Sequence, residues 1–83
     1  MKKDITAIIT LLATQSMIHL GEIPDPLTKE TSISLDRAQI FIDLLSILKK
    51  KTEGNLSRDE QDFFDDVLTN LNQVFQKKSS KRN

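Results

Sequence analysis

The chain has no cysteine, tryptophan or tyrosine, and only two glycines, two prolines and one histidine; its net charge is zero. Without cysteine, neither disulfides nor thiolate metal sites can reinforce the fold, and no thiol is available as a nucleophile. Scarce glycine and proline, with an apolar set that is aliphatic apart from four phenylalanines, favour helix over sheet. Twelve basic residues balance twelve acidic ones, so no overall charge draws the molecule toward nucleic acid or an anionic membrane. At 83 residues the chain is one domain. A single copy of that size hides only roughly 60 to 65% of the surface its unfolded chain exposes. With disulfides and thiolate metal sites excluded, helix packing or association between copies is left to supplement the core.

What is present reads as an all-α, three-helix domain, with helices at about 4–20, 35–53 and 57–76. Asp4 is placed to cap the first helix. Ile5, Ile8, Ile9, Leu12 and Leu20 mark one face of it, Leu11 and Ile18 another. Its polar residues include Thr6, Thr10 and Thr14, a strip recurring every four residues, and no charged side chain lies between Ile5 and Leu20. A helix apolar nearly all round belongs inside something. Met1-Lys2-Lys3 before such a stretch resembles the start of a secretory signal or a membrane span. Asp4, the hydroxyls, Gln15 and His19 interrupt that pattern, and the stretch falls short of the roughly 18 apolar residues a span needs. The expectation is an uncleaved, cytoplasmic helix without membrane contact.

Gly21 ends the helix, and Ile23-Pro24-Asp25-Pro26 forces extended backbone, because a proline pushes its predecessor out of the α region. The connection runs to about Ser34, long for packed helices, and can run back along the first helix. Ser34 caps the second helix, Lys49, Lys50 and Lys51 occupy its last turn, and Gly54-Asn55 terminates it. Asp36, Gln39, Asp43, Ser46 and Lys50 form one narrow polar strip. That leaves Ala38, Ile40, Phe41, Ile42, Leu44, Leu45, Ile47 and Leu48 around the rest, so the second helix is expected at the centre of the core. Ser57-Arg58-Asp59-Glu60 fits a capping box opening the third helix, whose stripe is Phe64, Val67, Leu68, Leu71, Val74 and Phe75. The short link makes the last two helices an antiparallel hairpin. Residues 1–76 then form the domain, and 77–83, net +4 with no apolar residue, read as a disordered basic tail.

Few of these residues suggest chemistry. His19, Glu22 and Asp25 are three apart, but Gly21 and Pro24 break any common helical face, so no metal or cofactor is expected. Asp59, Glu60, Asp62, Asp65 and Asp66 complement a helix N-terminus and make a solvated face. The lysines at 49–51 and 77–82 could contact phosphates together, but they lack interleaved aromatic residues for stacking bases. No nucleophile elbow, phosphate loop or paired histidine is found, so no enzyme is expected.

Leu20-Gly21-Glu22-Ile23-Pro24-Asp25-Pro26, Leu35-Asp36-Arg37-Ala38, Ile42-Asp43-Leu44-Leu45, and Lys51-Thr52-Glu53-Gly54-Asn55-Leu56-Ser57 through Glu60 together resemble a bacterial family known as domain of unknown function 1844. The resemblance covers residues 5–75 or so and implies a small helical domain of bacterial cytoplasmic origin, with no catalytic residues to carry over. The threonine pattern of the first helix and the lysine tail are this sequence's own.

The sequence therefore predicts a non-enzymatic helical interaction or structural protein that self-associates, a dimer being favoured, with room for a further protein partner. The alternative is an RNA- or ribosome-associated accessory protein using its lysine clusters. The candidate surface is Thr6, Thr10 and Thr14 on the first helix, Ile23, Pro24, Asp25 and Pro26 in the loop, and Asp43. Asp43, mid-helix among apolar neighbours, is expected to pair with a lysine, an arginine or the proline loop's backbone.

Overall fold

The structure, a computed structural model, describes residues 4–80. Among them it contains three helices, α1 (Ile5–His19), α2 (Leu35–Lys51) and α3 (Arg58–Ser80), and no strand. Each helix start has the cap its sequence foretells. The Asp4 carboxylate accepts from the Thr6 amide at 2.9 Å, and Ser34 Oγ accepts from the Arg37 amide at 3.4 Å. At α3 the box is reciprocal: Glu60 N–H donates to Ser57 Oγ at 3.2 Å, and Ser57 N–H donates to Glu60 Oε1 at 2.8 Å.

The end of α1 is a Schellman closure. Glu22 N–H donates to the Met17 carbonyl and Gly21 N–H to the Ile18 carbonyl, with Gly21 at φ +78°. The following loop does not run back along α1. It closes on itself, because Ser34 N–H donates to the His19 carbonyl at 2.7 Å and so sets the N-cap of α2 beside the last residue of α1. That makes α1 and α2 a helical hairpin, with the most extensive interface of the three; α3 packs against both. The His19 ring stacks on Phe41, centroids 5.5 Å apart.

One core joins the three helices: Ile9 and Leu20, then Leu35, Ala38, Ile42 and Leu45, then Phe64, Leu68 and Leu71. Burying each large apolar side chain is worth roughly 1.5–3 kcal/mol. Ser16 is the buried polar residue among them, and its hydroxyl is satisfied by the Leu12 carbonyl at 3.0 Å. The Cα trace measures 39 × 27 × 16 Å, a slab little more than two helices thick.

Two expectations need correction. First, α2 is not surrounded by core: Ile40, Leu44 and Ile47 are exposed, because α1 and α3 together cover only the side carrying Ala38, Ile42 and Leu45. Second, residues 77–80 are not a disordered tail but the last turn of α3. Lys77 and Lys78 stand at the negative end of the helix dipole, and the Lys78 ammonium meets the Glu22 carboxylate at 3.2 Å, which holds that turn without an apolar anchor. Residues 81–83 of the expected tail lie outside the described residues.

Candidate interaction surface

The eight surface residues read from the sequence fall in three separate places. Residues four apart on a helix are offset by about 40°, so the threonines wind around α1: Thr6 and Thr10 are half-buried, and Thr14 is exposed. Thr6 is further occupied with the Asp4 carboxylate through its hydroxyl as well as its amide. Thr6 also lies about 20 Å from the loop, which leaves the opposite end of α1. Ile23, Pro24 and Pro26 are exposed there, whereas Asp25 is half-buried and organises the loop. Its carboxylate accepts from Leu27 N–H at 2.7 Å, its carbonyl accepts from Lys29 N–H, and its own N–H donates to the Glu30 carbonyl. Lys29 stands at φ +63° to complete this turn, and Leu27 at its tip is 90% exposed.

Asp43 does not pair with a cation or with the proline loop. It lies on the exposed strip of α2, and its carboxylate accepts from the Gln39 side-chain amide at 2.7 Å. The reason is local: residues four apart stand one above the other, and no basic side chain occupies position 39 or 47.

The surface that sequence reasoning missed is the apolar stripe beside that strip. Ile40 is 56% exposed, Leu44 43% and Ile47 55%, at spacings of four and three that stack them on one face. Arg37 and Lys51 continue the same face at its two ends. On α1, Ile8 and Leu11 are also exposed, Ile8 on the side of the helix that carries His19, which stacks on Phe41 of α2. Both helices of the hairpin thus leave large apolar side chains uncovered. A signal for this was available: the polar strip of α2 is narrow, and the core of so short a chain cannot surround a helix completely.

Elsewhere, charged groups are paired or solvated. Lys49 neutralises Asp65, whose buried Oδ1 has no other hydrogen-bond partner among the described residues, and Lys78 meets Glu22. The two lysine groups therefore do not form one patch; Asp65 and Lys78 are about 20 Å apart along α3. His19, Glu22 and Asp25 are engaged with Phe41, Lys78 and the Leu27 amide respectively, and are not brought together. Among the described residues no three potential metal ligands converge. A cavity of about 80 Å³ opens at the turn between α2 and α3, lined by Lys49, Thr52, Gly54, Leu56, Phe64 and Asp65. It has room for a few waters and is well below the several hundred Å³ of small-molecule sites.

The model of one family, a domain of unknown function (DUF1844), matches residues 2–77 of the 83. The chain belongs to that family. Comparison with curated proteins and with solved structures returns no match. The family's description carries no activity, so function has to be argued from the surface. Among the described residues no helix is long and apolar enough to cross a membrane.

Proposed function

We propose that this family member is a non-enzymatic interaction module of the cytoplasm that self-associates through the outer side of the α1–α2 hairpin. The observation that carries the reading is the exposed row Ile40, Leu44 and Ile47, with Ile8 and Leu11 also uncovered on α1, on a chain with few other large apolar groups left uncovered on its helices. Contiguous exposed apolar side chains mark contact surfaces, and a small core gains most from being extended by a second copy. The sequence offered the threonines of α1, the proline loop and Asp43 as the candidate surface; the exposed row of α2 supports centring the proposed contact there instead. The RNA-binding alternative has less support, since Lys49 and Lys78 each face a carboxylate and the lysine groups stand apart.

The test is the oligomeric state across a wide concentration range, by sedimentation equilibrium or light scattering. A dimer is expected at micromolar concentration, and Leu44→Asp should give a monomer that keeps its helical circular dichroism. A wild-type protein that stays monomeric throughout would overturn the reading.

A further inference from the structure

Asp25 is held on three sides. Its N–H donates to the Glu30 carbonyl at 2.9 Å, its carbonyl accepts from Lys29 N–H at 2.8 Å, and its carboxylate accepts from Leu27 N–H at 2.7 Å. Lys29, at φ +63°, turns the chain back so that both backbone bonds close. The residue that follows Asp25 is Pro26, so the carbonyl that Lys29 N–H polarises belongs to a tertiary amide. A proline nitrogen carries two alkyl groups besides the acyl group, which makes it more basic than other amide nitrogens and a better leaving group once protonated. An aspartate carboxylate reaches the carbonyl carbon of its own residue through a five-membered ring. The loop therefore brings together a nucleophile, a donor for the oxyanion and a leaving group, the parts of an acyl-transfer step.

We propose that the Asp25–Pro26 peptide bond is a self-scission site, at which the Asp25 carboxylate attacks its own main-chain carbonyl carbon. A C–O bond forms to give a cyclic anhydride, the C–N bond to Pro26 breaks, and the departing nitrogen takes a proton from water. A water molecule then opens the anhydride, which restores the Asp25 side chain and leaves its main-chain carboxylate as a new C-terminus. The net reaction is hydrolysis of one peptide bond, once per molecule, with water as the co-reactant. Lys29 N–H stands in place for the negative charge that builds on the Asp25 carbonyl oxygen during attack. Leu27 N–H holds one carboxylate oxygen, which restricts rotation of the side chain and leaves the second oxygen to attack. The cut separates residues 1–25, with Ile9 and Leu20, from residues 26–83, with the core residues of α2 and α3, so no core side chain is lost. The inference is independent of the self-association proposed above.

The test is incubation of the full chain at neutral pH and physiological temperature, followed by mass spectrometry under denaturing conditions. Two fragments are expected, 1–25 and 26–83, whose masses sum to that of the intact chain plus one water. A synthetic peptide of residues 22–30, which has the same bond without the folded loop around it, provides the reference. The folded chain should be cut at least about tenfold faster than the peptide. Asp25→Asn keeps an acceptor for Leu27 N–H, and with it the loop, but removes the carboxylate nucleophile and should abolish the cut. Pro26→Ala turns the leaving nitrogen into that of an ordinary amide and should slow the cut strongly, with circular dichroism confirming that both variants stay folded. A folded chain that is cut no faster than the peptide, or that gives no fragments over several weeks, would overturn the proposal. So would a cut at the same bond in Asp25→Asn at the wild-type rate, which would mark a contaminating protease instead.

Discussion

The carbonyl of His19 and the amide of Ser34 are joined by a 2.7 Å hydrogen bond across the neck of the proline loop. The neck is also packed: a Cβ added at Gly21 would lie 2.8 Å from Ile33 Cγ1. At Gly54, which has a similar φ of +80°, an added Cβ meets nothing within 4 Å. Alanine at Gly54 therefore carries the left-handed backbone cost alone, about 1 kcal/mol, and alanine at Gly21 carries that cost plus displacement of Ile33, about 2 kcal/mol or more. Urea unfolding of both variants checks this; equal losses would mean that Ile33 yields freely.

Phe64 and Leu44 are both large apolar residues on helices, but Phe64 is fully buried and Leu44 faces out. Phe64→Ala is expected to cost about 3–5 kcal/mol, a large share of what holds a domain of this size together. Leu44→Ala should change the unfolding free energy of the dilute monomer by no more than about 0.5 kcal/mol. Its effect should appear as a loss of the concentration dependence of the melting temperature.

Removing the Ser57 hydroxyl opens one half of the capping box at α3. Ser57→Ala should lower stability by about 1 kcal/mol, while Glu60→Gln, which keeps a side-chain oxygen for the Ser57 amide, should be nearly neutral. Thermal melts of the two variants separate these outcomes, and an equal loss in both would show that the carboxylate charge rather than its hydrogen bond matters.

The contact of Lys78 with Glu22 ties the end of α3 to the loop. Lys78→Gln should leave global stability within about 1 kcal/mol, since partly exposed ion pairs contribute little. Amide exchange at residues 77–80 should nevertheless quicken, because that turn has no apolar anchor. Unchanged exchange there would show that the helix dipole alone holds the turn.

Helix existence, both glycine stops and all three caps were legible in the sequence because each depends on residues a few positions apart. Asp4, Ser34 and the Ser57–Glu60 pair act on their own first turns, and Gly21 and Gly54 on their own φ angles. The exposure of Ile40, Leu44 and Ile47 was not legible in the same way. Which side of an apolar helix stays uncovered is decided by where its neighbours pack, and that follows from the His19–Ser34 closure, a contact between residues fifteen apart. The same holds for the last turn of α3, whose partner Glu22 lies in the loop after α1. Asp43 was misread for the opposite reason: a distant partner was sought where Gln39, one turn back, suffices.

Lys49 and Lys78 each face a carboxylate at separate places along α3, so the two lysine groups do not add up to one broad basic field. A field of that kind is what accelerates encounters, toward about 10⁸–10⁹ M⁻¹ s⁻¹ from an unsteered 10⁵–10⁶. Meetings between copies should then proceed at the unsteered rate and slow only slightly when salt is added. Under the proposed self-association, selectivity is expected to lie in how long a pair stays together once formed, not in how often pairs form.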